Sequence, residues 1–270
     1  MGGGAKVLTC PATVGCFRGA IETSTHQHFS SEELRELFAE FTVTYSPGYF
    51  PQILRQRLGM HYYKPSPRDY RRPENAEAQL ATRLRATFDA LSLMGKDISN
   101  MPIGFADECG VQLHHNNARF WSLKRHQPQI MSGTQGSKKF FGFYALRGES
   151  LVVEMSASKA EDFKTLLLAL KEANPHPQGC ILLWDNATSH KKVEQWAWQK
   201  GIYIVRIPPY SPDLNPIERI WKSCKRWVSL QGFCKKKEQL VKLFEQAFEL
   251  YKVQKSFATG WCEKMSSILS

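Results

Sequence analysis

The chain has 270 residues, of which 42% are hydrophobic and 12% aromatic, so it can bury a sizeable core and is not a disordered tail. No apolar run approaches the roughly 20 residues of a membrane helix, and no secretory signal follows Met1. Seven cysteines without a Cys-x-x-Cys pair argue against a disulfide framework or a zinc ribbon. The formal net charge of +11 favours a polyanionic partner, although many soluble proteins carry such a charge without one.

The first elements of the chain predict a small helical region. Residues 1–29 show no periodicity, so we expect an irregular N-terminus. A capping-box pattern from Ser30 to Glu33 precedes an apolar helical stripe, and a second stripe ends at Gly59. Arg55 and Arg57 lie away from the second stripe, so residues 30–61 resemble a helix-turn-helix that binds DNA, although a plain helical hairpin fits equally well.

The remaining sequence predicts a linker and then a layered α/β domain. Residues 62–98 begin with a proline-rich stretch and continue as an amphipathic helix. Strand patterns occur at 103–107, 119–124, 138–155, 180–185 and 202–207. Helical patterns occur at 161–173, 190–200, 215–229 and 236–253. Neighbouring strands that later alternate with helices predict a mixed sheet in a domain at 99–255, followed by a C-terminal tail at 256–270.

Two of these strands are expected to end in an aspartate, Asp107 in IGFAD and Asp185 in CILLWD. If the strands are neighbours, the two carboxylates converge and repel each other unless a cation lies between them. Mg²⁺ prefers such oxygen ligands, and a pair of ions can promote phosphoryl transfer. Each aspartate could instead be a turn or N-cap residue. Glu108 adjoins Asp107, but strand alternation should turn it to the opposite face.

A third carboxylate, Glu218, follows the rigid segment 208–218 (PPYSPDLNPIE). Asn215 suits an N-cap and Pro216 the first position of a helix, so Glu218 should lie in the first helical turn. Lys222 and Arg226 share its face, either as a surface ion pair with Glu218 or as contacts to phosphates beside a metal ligand.

The motif LWDNA with His190, and above all PPYSPDLNPIE, resemble mariner-type transposases and their bacterial insertion-sequence relatives in the DDE superfamily. The resemblance covers residues 100–250. It implies an RNase H-like fold in which Asp107, Asp185 and Glu218 bind two Mg²⁺ or Mn²⁺ ions, with no small-molecule cofactor. It further implies cleavage of double-stranded DNA at transposon ends, strand transfer into TA sites, and action as a homodimer.

Further residues follow from the motifs and from the charge, since residues 186–237 contain 11 basic and three acidic side chains. The residues that support the two motifs are Asn186, Pro209, Ser211, Pro212, Asp213, Asn215 and Pro216. The residues expected to bind DNA are His190, Lys191, Lys192, Arg219, Lys222, Arg226, Arg55 and Arg57. We expect no membrane contact and an intracellular location, in the cytoplasm or nucleoid of a prokaryote or the nucleus of a eukaryote.

Two departures from the family pattern leave other functions open. The spacing from Asp185 to Glu218 is slightly shorter than is usual, and family members carry a longer N-terminal region with two helix-turn-helix units. The chain is therefore expected to be a shortened or altered copy. It could be an RNase H-like nuclease without strand transfer, or a truncated, domesticated copy that only binds DNA.

Overall fold

A computed structural model describes residues 11–24, 29–41, 43–63, 69–113, 136–156, 160–231, 234 and 236–269. The predicted strand at 119–124 and part of the predicted linker, 64–68, lie outside these residues. The chain divides into two compact units, Met1–Pro67 and Arg68–Ser270. No helix in the described part of the chain combines the length and the apolarity that crossing a bilayer requires.

The first unit contains helices α1 (Pro11–Glu22), α2 (Ser31–Glu40) and α3 (Phe50–Leu58). The predicted capping box is present, because the Glu33 N–H donates to Ser30 Oγ and the Ser30 N–H donates to Glu33. The prediction of an irregular N-terminus was wrong for α1. Two glycines weaken its helical pattern, but Phe17 is fully buried and stacks on Phe38 with ring centroids 4.1 Å apart.

The second unit begins with α4 (Ala76–Leu93), β1 (Ile103–Gln112), β2 (Ser137–Arg147), β3 (Leu151–Met155) and α5 (Ala160–Ala173). It continues with β4 (Cys180–Trp184), α6 (Thr188–Lys191), α7 (Glu194–Gln199) and β5 (Ile202–Arg206). A 3₁₀ turn (Pro212–Leu214) leads to α8 (Ile217–Leu230) and α9 (Lys237–Lys252), and a second 3₁₀ turn (Lys255–Phe257) leads to α10 (Thr259–Leu269). The strand predicted at 138–155 is a hairpin of two strands, because Gly148 turns the chain with a φ of 102°.

The five strands form one sheet in the order β3-β2-β1-β4-β5. Pairing is antiparallel from β3 to β1 and parallel from β1 to β5, so the sheet is mixed, as predicted. One face packs against α4, α8, α9 and α10, and the other face against α5 and α7. The predicted C-terminal tail is instead part of this core, because Trp261 of α10 meets Phe105 edge-on with centroids 4.8 Å apart.

Two neighbouring strands of the sheet, β1 and β4, separate just before the predicted aspartates. Strands β1 and β4 pair only up to Phe105 and Leu183, and Asp107 and Asp185 each stand two residues further along. The prediction that Asp107 ends its strand was wrong, since β1 continues to Gln112 by pairing with β2. Beyond Phe105, β1 still pairs with β2 but no longer with β4. Asp107 therefore faces a gap beside β4 although its backbone remains in the sheet.

Candidate active site

The three acidic residues that the sequence singled out line one cavity of about 340 Å³. Asp107 comes from within β1, Asp185 from the end of β4, and Glu218 from the first turn of α8. The remaining wall is formed mainly by the segment between β5 and α8. The expected convergence of the acids is therefore present.

Asp107 is half-buried at the base of this cavity, and its Oδ2 accepts a hydrogen bond from Trp221 Nε1 at 3.1 Å. Burial raises the pKa of Asp107 to about 8, and the negative charges of Glu218, Glu108 and Asp185 act in the same direction. The carboxylate therefore needs a nearby positive charge to remain ionised at neutral pH.

Asp185 combines a turn role with a place in the cavity. Its Oδ1 accepts a hydrogen bond from the Ala187 N–H at 3.0 Å and lies 2.6 Å from His190 Nδ1. Burial alone would raise the pKa of Asp185, but the contacts with His190 and Ala187 lower it below its usual value. The turn that the sequence offered as an alternative is therefore present, and the same side chain also lines the cavity.

His190 is the residue for which the prediction of DNA contact does not fit. Its side chain is only 1% exposed and stacks on Trp184 with centroids 3.8 Å apart. Its Nε2 lies 3.0 Å from Glu108 Oε1, so the ring joins Glu108 to Asp185. Both contacts are ion pairs when the ring is protonated. Burial lowers the pKa of His190, but Asp185 and Glu108 raise it more, to about 8.

Glu108 lies on the opposite face of β1 from Asp107, as strand alternation predicted. Sequence reasoning placed it outside the cavity but missed its link to Asp185, because that link passes through a histidine more than 80 positions away. In the sequence, the one indication of this link was the position of His190, five residues after Asp185.

Glu218 is exposed to the cavity at the start of α8. Asn215 does not cap the helix as predicted; its Nδ2 donates instead to the Ala106 carbonyl at 3.3 Å, which attaches the start of α8 to β1. Pro216 takes the N-cap position. No ion pair joins Glu218 to Lys222, both of which the structure describes, so the surface-pair alternative is not supported.

The wall segment is held at its start and within its turn. Asn186 Nδ2 donates to the Ile207 carbonyl at 3.2 Å, and Ser211 Oγ donates to the Pro209 carbonyl at 3.1 Å. Tyr210 adopts a φ of 55°, a left-handed conformation that is rare for a tyrosine. Pro209 and Pro212 flank this turn and restrict the backbone on both sides.

Two arginines from the segment before α4 also hold this wall. Arg72 is only 7% exposed and forms a bidentate pair with Asp213, at 3.0 and 2.8 Å. The guanidinium of Arg71 lies 3.9 Å from the centroid of the Tyr210 ring. Sequence reasoning assigned both arginines to a linker, because pairs so distant in sequence leave no local pattern.

The basic residues expected at DNA lie mostly on the surface. Within the second unit, Lys191, Lys192, Arg219, Lys222 and Arg226 are exposed, and Arg219 donates to the Phe257 carbonyl at 3.5 Å. In the first unit, Arg55 and Arg57 are exposed on α3. Lys225, which the sequence analysis did not name, is also exposed and stands two turns after Glu218 on α8. It lies near Cys109, and burial raises the pKa of that thiol to about 12.

The donor set suits a hard divalent cation. Three carboxylates share the cavity, and the pKa of Asp107 is raised first by burial and then by the negative charges of its neighbours, both of which a bound cation would oppose. Among the described residues, no group of three or more His, Cys, Asp or Glu side chains that could hold a metal ion is found. Mg²⁺ does not require such a group, because it keeps several waters and takes one or two carboxylates together with substrate phosphates.

Comparison with known proteins identifies relatives of this arrangement. The insertion element IS630 uncharacterized 39 kDa protein of Shigella sonnei is 25% identical over 146 residues, which cover 52% of this chain and 43% of that protein. The chain thus matches less than half the length of this relative.

Two solved structures share the fold. The Mos1 mariner paired end complex with Mn matches with a TM-score of 0.55 and 15% identity, over 100% of this chain and 82% of that one. The Mos1 transposase paired-end complex with left transposon end matches with a TM-score of 0.51 and 17% identity, over 96% and 88%. These matches confirm the predicted RNase H-like fold.

Residues 102–241 match the family described as DDE superfamily endonuclease, and this range contains Asp107, Asp185 and Glu218. The match spans just over half of the chain and confirms the resemblance predicted from the two motifs. The chain therefore belongs to the DDE superfamily of endonucleases.

Proposed function

We propose that this chain is a transposase that cleaves double-stranded DNA at the ends of an insertion element and joins the freed ends to target DNA. The observation that carries the proposal is the convergence of Asp107, Asp185 and Glu218 in one cavity. The raised pKa of Asp107, caused by burial and then by the neighbouring carboxylates, supports it, because a divalent cation would favour the ionised form that these effects disfavour.

Asp107, Asp185 and Glu218 would hold two Mg²⁺ or Mn²⁺ ions. Bound there, the ions would supply Lewis-acid stabilisation of the attacking and leaving oxygens of an in-line phosphoryl displacement. The chain itself orients the three carboxylates, through Trp221 at Asp107 and the Ala187 N–H at Asp185.

The exposed basic side chains would bind the DNA backbone. Lys222 and Arg226 extend along α8 from Glu218, and Lys191 and Lys192 follow Asp185, so phosphates on both sides of the cavity would meet positive charge. Arg55 and Arg57 on α3 would contact the element ends. This sequence-independent attraction would place the scissile phosphate near the acids.

The two matching structures are complexes of the Mos1 protein, one with a transposon end and one with Mn. They support DNA ends and a divalent ion as partners of this chain. We further propose TA dinucleotides as the target and a homodimer as the working form, both by analogy with the family.

Nicking of a duplex that carries the element's own ends tests the proposal. Cleavage should require Mn²⁺ or Mg²⁺ and be lost in Asp185→Asn and Glu218→Gln, whereas Asp89→Asn, an exposed acid of α4, should cleave normally. A wild-type chain that shows no metal-dependent cleavage would refute the proposal.

A second assay separates transposition from simple hydrolysis. Pre-cleaved element ends should join to a TA-containing plasmid when a divalent ion is present. Cleavage without joining would identify an RNase H-like nuclease, the alternative that the incomplete match to the insertion-element relative keeps relevant.

A further inference from the structure

Helix α8 and the residue just before its N-cap contact the site in two places besides Glu218. The first contact is the Asn215 side chain, which donates to the Ala106 carbonyl. The second is the indole of Trp221, whose Nε1 donates to Asp107 Oδ2 at 3.1 Å. The same helix that presents Glu218 to the cavity therefore holds the side chain of Asp107, one helical turn further on.

The indole can reach Asp107 only because its neighbour on β2 is a glycine. Gly142 is the cross-strand partner of Asp107. A Cβ atom at position 142 would lie 2.2 Å from Trp221 Cη2 and 2.6 Å from Cζ2, distances that side-chain carbons do not tolerate. The glycine thus leaves a slot under the carboxylate, and the indole fills it.

The position of the indole is set by packing on its other side. Trp221 is 2% exposed, and its ring lies 5.8 Å from the ring centroids of both Phe244 and Phe248 in α9. With β2 on one side and α9 on the other, the ring has little freedom to turn. A fixed donor restrains the carboxylate that accepts from it.

We propose that Trp221 is a positioning residue for the metal ligand Asp107, and that Gly142 is required because it makes room for the indole. The proposal rests on the proposed metal site and adds a residue to it. The indole N–H occupies one carboxylate oxygen and limits rotation of the group, which keeps the other oxygen available to a cation. No basic residue is needed for this, so the donor adds no charge that would compete with the ion.

Replacement of Trp221 by Phe tests the hydrogen bond, because Phe keeps an aromatic ring and removes the N–H. The matched control is Trp261→Phe. Trp261 lies in the same core, and its buried Nε1 has no hydrogen-bond partner within the part of the chain that the structure describes. The two variants make the same chemical change in one core, with and without an acid at the indole nitrogen.

The measurement is the affinity of the full chain for Mn²⁺ alone, from the electron paramagnetic resonance signal of the free ion. Trp221→Phe should bind Mn²⁺ about tenfold more weakly, the usual effect of removing a hydrogen bond to a metal ligand, and Trp261→Phe should match the wild type. Gly142→Ala should weaken binding in the same direction, since its methyl group displaces the indole without altering the N–H.

A purely structural role would lower the melting temperature of Trp221→Phe and leave the Mn²⁺ affinity of the folded chain unchanged, and this result would overturn the inference. Failure of the wild-type chain to bind Mn²⁺ would refute the proposed function instead, so the two outcomes are distinguishable.

If Trp221→Phe does not fold, ¹⁵N-indole spectra of otherwise wild-type chain give the answer. One of the seven tryptophan signals should shift both when Mg²⁺ is added and in Asp107→Asn. If no indole signal responds to both changes, the inference is wrong.

Discussion

Asp107→Asn should stabilise the metal-free protein at high pH. Burial and the surrounding carboxylates raise the pKa of Asp107 to about 8 in the folded state, whereas a carboxyl in the unfolded chain titrates near its usual value of 3.8. Between these values the folded state retains a proton that the unfolded state has lost, so the free energy of unfolding falls as the pH rises. Above about pH 8 the full cost of ionising Asp107 is present, and the asparagine avoids it.

The size of this effect follows from the shift. A rise from 3.8 to about 8 corresponds to an upper limit of about 6 kcal/mol, at 1.36 kcal/mol for each unit. Asparagine leaves a polar group buried at position 107, so the substitution recovers only part of this amount. We therefore expect about 2 kcal/mol at pH 9, which raises the melting temperature by about 4–8 °C for a unit of this size.

The assay is thermal or urea unfolding in EDTA at pH 5 and pH 9. The stability of Asp107→Asn relative to the wild type should be clearly greater at pH 9 than at pH 5. Asp69→Asn is the control, because the pKa of Asp69 is shifted in the opposite direction: Arg71 lowers it to about 2. Replacement of Asp69 should therefore not stabilise the protein at either pH. Added Mg²⁺ should stabilise the wild type more than Asp107→Asn. Equal stabilities of the two chains at pH 9 would show that the acids do not strain the empty cavity.

Three other measurements check separate contacts. Arg72→Ala removes the bidentate partner of Asp213. Because Asp213 is half-exposed, we expect the free energy of unfolding in urea to fall by about 1 kcal/mol. An unchanged free energy of unfolding would mean that the pair does not hold the segment between β5 and α8. His190→Gln should lower the free energy of unfolding more at pH 6 than at pH 9. The folded pKa of about 8 lies above the usual 6.5, so the stabilisation by the protonated ring is complete below pH 6.5 and is lost as the pH rises through 8. An equal loss at both pH values would contradict the ion pairs of His190 with Asp185 and Glu108. DNA affinity should fall steeply with salt, and Lys222→Ala should lower the salt slope by about 1; an unchanged slope would remove Lys222 from the DNA interface.

Local pattern was sufficient for much of the fold and of the site. The capping box of α2, the mixed sheet and the three acids were predicted because each depends on a short stretch of sequence or on a motif whose spacing is preserved. The helices at either end of the described chain were missed. Helix α1 has a weak pattern and is stabilised by contacts of Phe17 with other helices, and α10 by the contact of Trp261 with the sheet.

The sequence by itself determined which acids were expected to meet, and all three line one cavity, because two strands and a proline-rich turn bring them there and the family motifs mark them. Only the tertiary structure decided what holds two of those acids and the cavity wall in place: Trp221 at Asp107, His190 between Asp185 and Glu108, and Arg72 at Asp213 in the wall. Each of these contacts depends on elements brought together by packing, often across more than 70 positions of sequence. Periodicity and propensity report on neighbours along the chain, so they carry no information about such pairs until the sheet and its helices have assembled.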